Sequence, residues 1–128
     1  KHEAELIPAM SAHGLGLLPY FPLASGLLTG KYKRGEAIPA GTRFARAAMF
    51  GQRYMNEQNW ERVERLEAFA QKHGRSMVEL AFSWLVARPT VSSVIAGAMS
   101  TQQIEANIAA TGWSLSAEEI AEIDALTA

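Results

Sequence analysis

Two short apolar runs set the tightest limit on what this chain can fold into. The first, "LGLLPYFPL" at residues 15–23, does not alternate and is punctuated by Pro19 and Pro22. It reads as a buried parallel strand ending near Tyr20. The second, "VSSVIA" at residues 91–96, is β-branched and stops at Gly97; it reads as another strand. Everything else has helical or loop character. Strands separated by helices pair in parallel, yet two parallel strands do not make a sheet that can bury both faces.

The helical segments carry clear punctuation. Glu3–His13 places Leu6, Ile7 and Met10 on one face and ends at Gly14, a residue suited to the left-handed C′ position. Asn56–His73 carries Trp60, Val63, Leu66, Phe69 and Ala70 inward and ends at Gly74. Ser76 with Glu79 is a capping box opening "MVELAFSWLVAR", which stops before Pro89. Ser100 opens a helix to about Thr111, and Ser116 with Glu119 caps a last one. Between the first strand and these helices, residues 33–55 read as a long loop, with a single helical turn expected just before it at Gly26–Thr29. The order is helix, strand, loop, helix, helix, strand, helix, helix. It describes an α/β chain made of two βα units of a larger sheet. A complete (β/α)8 barrel takes roughly 250 residues, and this chain has 128.

Composition narrows the function. Twelve Lys and Arg against 13 Asp and Glu give a net charge of −1. No long-range field draws this chain to nucleic acid or an anionic membrane, so anion binding must be local. No cysteine is present, which removes disulfide and thiolate chemistry; with no signal-like segment, a cytoplasmic location is expected. The apolar runs are too short to span a membrane. No His, Asp and Glu group has metal-ligand spacing. The chain opens "KHEAELIPAM", with no initiator methionine, as expected of a fragment or a trimmed product.

One place is suited to an anion. In "VSSVIAGAMSTQQIEAN", residues 91–107, a strand passes through Gly97 into a helix capped by Ser100. The helix start offers unpaired N–H groups at the positive end of its dipole. Ser100, Gln103 and Asn107 fall on one helical stripe.

Two segments resemble the aldo-keto reductases. "LPYFPLASGLLTGKY" (residues 18–32) is similar to the segment around their seventh strand, and "VIAGAMSTQQIEAN" (residues 94–107) to the eighth strand and its helix. "SMVELAFSWLVARPTVSSVIAG" and "WSLSAEEIAEIDAL" match the penultimate and C-terminal helices in order, so the resemblance covers essentially residues 1–128. It implies the C-terminal part of a (β/α)8 TIM barrel, with two parallel strands and surrounding helices and the N-terminal half absent. It also implies an NADP(H)-binding portion of an oxidoreductase that reduces aldehydes or ketones by hydride transfer. By the same resemblance, Tyr20 lies against the nicotinamide ring. Pro22, Leu23, Ala24 and Gly26 wrap the pyrophosphate, with Lys31 as an electrostatic partner. Gly97 and Ser100 receive the adenosine 2′-phosphate, Gln103 its ribose and Asn107 the adenine.

Three positions depart from the family pattern. Met99 stands where many relatives place a cation or hydroxyl, Ala106 where some carry a carboxylate, and Phe21 where serine is frequent. With no Arg or Lys between Gly97 and Asn107, preference for NADP(H) over NAD(H) rests on neutral hydrogen bonds, and binding of NAD(H) is expected to compete. The family's catalytic Tyr, Lys, Asp and His belong upstream of the segments matched here. Tyr20 matches the ring-stacking position, Tyr32 and Tyr54 lie about the loop, and His2, His13 and His73 match none of the set. The expected partners are therefore a carbonyl substrate and the missing N-terminal half of the barrel. Two other functions fit the residues: a non-catalytic nucleotide-binding regulatory member of the fold, and an autonomous small binding domain. Phe44, Met49 and Phe50 beside Arg43, Arg46 and Arg53 mark the long loop as a substrate wall or a closure over the cofactor.

Overall fold

A computed structural model of the chain describes residues 2–128, apart from the side chains of Ala48 and Phe50. Phe50, assigned to the loop wall by its sequence, therefore lies outside the described side chains. Seven α-helices follow in chain order: α1 (Ile7–Ala12), α2 (Arg43–Arg46), α3 (Ala48–Tyr54), α4 (Glu57–Lys72), α5 (Met77–Val86), α6 (Thr101–Ala109) and α7 (Ala117–Thr127). A π-helical turn, His2–Leu6, leads into α1, and a 3-10 turn occupies Ala24–Thr29.

The helix ends are set by local chemistry. Asn56, Ser76, Ser100 and Ser116 each accept the N–H three residues on, the side-chain cap that their identities predict. At Ser76 and Ser116 the capping box closes in both directions. At the other end, Gly74 takes φ +65° beyond α4 while Gly74 N–H donates to Gln71 O and Arg75 N–H to Ala70 O. That is a Schellman motif, and Gly14 closes α1 the same way onto Ser11 and Met10. The Glu79 carboxyl is held below the ordinary carboxylate range, chiefly by the Ser76 N–H, then by the Ser76 hydroxyl and Arg75.

The core lies among helices. Trp60, Val63, Leu66, Phe69 and Ala70 of α4 are all buried, as their spacing predicts. They meet Met77 and Leu80 of α5, Ile123 of α7, Trp113, and Leu27 and Tyr32 from the segment after the first apolar run. Ser83 Oγ of α5 donates to Ala110 O at 3.1 Å, joining α5 to the end of α6. Trp84 Nε1 donates to Asp124 Oδ1 at 2.8 Å, and the Arg88 guanidinium, 4.0 Å over the Trp84 ring, pairs with the same carboxylate. Among the described residues no helix is long and apolar enough to cross a membrane.

Three expectations need correcting. The two apolar runs form no continuous strands among the described residues; they meet in two isolated parallel bridges, Leu17↔Val91 and Tyr20↔Ile95. Pro19 sits between the bridges and has no N–H to donate, and a two-stranded parallel pair has no outer neighbour to align it. The apolar face of α1 is not buried: Leu6 is exposed, Ile7 and Met10 are half-buried, and α1 packs chiefly against its own leading turn. Finally, residues 33–55 are not featureless loop but carry α2 and α3.

This arm is fastened to the core. Phe44 is 1% exposed, its ring stacked 4.5 Å from Tyr32 and 6.3 Å from Tyr54. Lys33 pairs with Glu67, and Arg34 with Glu57 and Glu64, along α4. Phe44 is therefore core, not a substrate wall. Truncation of Phe44 to alanine should cost about 3–5 kcal/mol in chemical denaturation, while Met49→Ala, at a 72%-exposed side chain, should stay within about 0.5 kcal/mol. Because the folded-state pKa of Glu79 is depressed, its contribution is full above the ordinary carboxylate range and is lost as pH falls through the lowered value. Glu79→Ala should thus cost about 1 kcal/mol at neutral pH, with the gap to the unmodified chain narrowing in acid.

Candidate functional site

The stretch from Tyr20 to Tyr32 is the most unusual backbone in the molecule. Phe21, Ala24 and Ser25 take positive φ of 56°, 46° and 59°, followed by Gly26 at 105° and Gly30 at 77°. Among the described residues these are the non-glycine positions in the left-handed region, where Cβ meets the following carbonyl oxygen at a cost of roughly 1–2 kcal/mol each. Such strain persists where surrounding contacts over-determine it, and it clusters at binding sites. Here the turn is held by Ala24 N–H to Phe21 O at 2.9 Å, Gly26 N–H to Leu23 O at 2.8 Å, and Thr29 Oγ1 to Gly26 O at 2.7 Å.

Two polar groups at this turn lack a hydrogen-bond or ion-pair partner among the described residues. Ser25 is buried, and its Oγ has no hydrogen-bond partner, a situation that ordinarily costs 1–3 kcal/mol. Lys31 forms no ion pair among the described residues. Its side chain lies against the glycine: a Cβ built on Gly26 would stand 3.2 Å from Lys31 Nζ and 3.4 Å from the Tyr32 ring. The Lys31 ammonium is itself 5.2 Å from the Tyr32 ring centroid. Gly26 thus serves twice, by adopting φ +105° and by leaving room for the lysine.

The second half of the site joins through the Tyr20↔Ile95 bridge, where Ile95 N–H donates to Pro19 O at 3.2 Å. Gly97 lies two residues beyond, and a Cβ there would meet nothing within 4 Å, so packing does not demand glycine. Ser100 caps α6 by accepting Gln103 N–H at 3.2 Å. The Gln103 side chain reaches back, its Oε1 accepting Met99 N–H at 2.7 Å. Asn107 is half-buried, and Met99 is 83% exposed. Tyr20 is 73% exposed and touches the Phe21 ring at 5.0 Å, leaving its outer face open. Pro22 and Leu23 are half-buried.

One residue escaped the sequence reading, and another takes a further role. Ser25 has no motif of its own, because its left-handed turn and buried hydroxyl exist only once the turn is formed. Arg43 was read as part of a wall, yet its guanidinium lies 5.2 Å from the Phe21 ring, tying the arm to the strained turn.

With this geometry in view, comparison with known proteins is decisive. The sequence profile of the Aldo/keto reductase family matches residues 1–128. The chain belongs to the aldo/keto reductase family. Among curated relatives, it is 42% identical over 112 residues to a probable voltage-gated potassium channel subunit beta of Oryza sativa subsp. japonica, an alignment covering 86% of this chain and 34% of that protein. It is 36% identical over 124 residues to the L-glyceraldehyde 3-phosphate reductase of Escherichia coli (strain K12), covering 93% of this chain and 35% of the enzyme. The glycerol dehydrogenase AKR11B4 from Gluconobacter oxydans, a solved structure, superimposes with a TM-score of 0.74 at 27% identity, covering 98% of this chain and 38% of that one. The chain thus spans about a third of the length of the curated relatives it matches. Family membership removes the reading of an autonomous domain unrelated to reductases.

Introducing a side chain at Gly26 tests the turn. Gly26→Ala should lower stability by about 1–2 kcal/mol, from the positive φ and the displaced lysine, in thermal or urea unfolding. At Gly97, where the added Cβ meets nothing, Gly97→Ala should be within about 0.5 kcal/mol of the unmodified chain.

Proposed function

We propose that residues 1–128 are the NADP(H)-binding part of an oxidoreductase that reduces aldehydes or ketones by hydride transfer. The observation that carries this reading is the turn itself: three strained non-glycine residues, one of them Ser25 with its buried hydroxyl lacking a hydrogen-bond partner, and a Lys31 ammonium that forms no ion pair among the described residues. A diphosphate suits those groups, since an anion satisfies both donors and offsets the strain. When bound, the reduced nicotinamide supplies the hydride. Pro22, Leu23, Ala24 and Gly26 would shape the pyrophosphate cradle, with Lys31 neutralising charge. Tyr20 would offer its exposed aromatic face to the nicotinamide. Gly97 and the Ser100-capped start of α6 would take the 2′-phosphate, with Gln103 and Asn107 toward ribose and adenine. No Lys or Arg stands between Gly97 and Asn107, so this reading has NAD(H) binding as well, less tightly than NADP(H).

The partner in this reading is the N-terminal half of a (β/α)8 barrel, which would bring the catalytic groups and the carbonyl substrate. The apolar face left uncovered supports it: Leu15, Leu18, Ile95, Ile104 and Ile108 are all more than half exposed, along the two bridged segments and one side of α6. A cytoplasmic setting belongs to the same proposal. A second reading, nucleotide binding without turnover, is favoured by the 42% identity to a protein named as a potassium channel subunit beta. NADPH oxidation with an aldehyde such as 4-nitrobenzaldehyde, measured on the full chain carrying these residues, separates the two. Turnover supports the enzyme, whereas saturable NADPH binding without turnover supports the regulatory member.

For the binding groups, Lys31→Ala should weaken NADPH by about tenfold, about 1.4 kcal/mol, with the difference shrinking at high salt. Gln103→Ala with Asn107→Ala should cost roughly 1 kcal/mol per lost hydrogen bond in the same fluorescence titration. Unchanged affinity in both would reject the assignment.

A further inference from the structure

The junction between α4 and α7 holds a titratable side chain that the nucleotide reading does not use. His73 is the C-cap of α4 and is half-buried, its ring centroid 4.3 Å from that of Phe69 and 5.5 Å from that of Trp113. Its Nδ1 lies 2.9 Å from Phe69 O. A carbonyl oxygen only accepts, so Nδ1 carries a proton and donates. On the other side of the ring, Nε2 stands 3.5 Å from Glu119 Oε1. The second oxygen of that carboxylate is already engaged, Oε2 accepting the Ser116 N–H at 2.7 Å in the capping box of α7. With Nδ1 protonated, a neutral ring turns the Nε2 lone pair toward an anion. Only the imidazolium, a donor at both nitrogens, suits both neighbours. The carbonyl end of the α4 dipole favours the same charge.

From this we propose that His73 and Glu119 form a proton-dependent clasp that fastens the start of α7 to the end of α4. When protonated, the imidazole bridges the Phe69 carbonyl and the Glu119 carboxylate. As pH rises through the histidine range the bridge is lost, and with it that part of the hold on α7. The other charged groups at this junction have partners of their own. Lys72 Nζ of α4 is 3.6 Å from Glu122 of α7. Arg75, whose guanidinium lies 5.8 Å from the Trp113 ring centroid, is 3.1 Å from Glu79 of α5. Lysine, arginine and glutamate hold one charge state across neutral pH, so histidine is the residue type that switches there. Further along α7, Ile123 is buried in the core and Asp124 binds Trp84 and Arg88. Those contacts keep α7 docked when the clasp opens, so the change falls on how often its first turns open and not on the fold.

The test is amide hydrogen exchange followed by NMR on the full chain carrying these residues, at about pH 5.5 and about pH 8, with rates corrected for intrinsic exchange. The amides of Ile120, Ala121 and Glu122 should be about threefold more protected at the lower pH, the size expected of one partly exposed ion pair. Glu119→Gln keeps an acceptor for the Ser116 N–H, since a capping box uses either residue, but removes the charge that faces Nε2. In that variant the gain in protection should disappear. His73→Gln, which leaves nothing to titrate at this position, should abolish it as well. Should His73→Gln not fold, Glu119→Gln decides alone, because its helix cap is retained. Equal protection of these amides at the two pH values in the unmodified chain, or a gain that persists in either variant, would overturn the proposal.

Discussion

One face of α4 is the surface on which the rest of the molecule depends. Trp60, Val63, Leu66, Phe69 and Ala70 recur at three- and four-residue intervals and are all buried, and each large side chain removed from water contributes roughly 1.5–3 kcal/mol. On this stripe converge α5, α7, Trp113 and the Leu27–Tyr32 segment. In a closed barrel, helices are held by the sheet they cover. In residues 2–128 the relation is inverted: the helices make the core, and the two bridged segments are carried at its margin.

That inversion explains how the candidate site is supported. The strained turn from Phe21 to Gly26 touches the core on one side through Leu27 and Tyr32, and on the other it meets the arm through Arg43 over Phe21. The arm is in turn stacked through Phe44 on Tyr32 and tethered along α4 by Lys33 and Arg34. These ion pairs are partly exposed and individually worth little. Their value is directional, since they set where a segment without strands of its own runs over the helix surface.

The existence, type and ends of α4 to α7 were legible because their causes are local. Ser76 finds Glu79 three residues on, and Gly74 is the residue that can take φ +65° beyond α4. The strands were not legible in the same degree, because parallel pairing needs neighbours on both edges, and Pro19 interrupts the pair that is present. The arm was misread for a related reason: the glutamates that hold Lys33 and Arg34 lie on another element, so residues 33–55 show only glycine, charge and length. Phe44 could be singled out as apolar but not as core, since Tyr32 and Tyr54 become its neighbours only after folding. At the site, Ser100 was legible as a cap by type and spacing and Gly26 and Lys31 only through the resemblance, whereas the buried, unpartnered hydroxyl of Ser25 is a property of the formed turn.

The two bridges have a consequence for the order in which the molecule comes together. Leu17 and Val91, like Tyr20 and Ile95, are separated in the chain by the arm and the whole α4–α5 hairpin. Closing so long an intervening loop is entropically costly and comes after local structure has formed. The capped helices belong to the early, cooperative unit, and the bridges that unite the two halves of the site belong to the last and least protected one. Amide exchange at Leu17, Ser92 and Ile95, whose N–H groups donate across the bridges, therefore reports the joining of the two segments separately from the folding of the core.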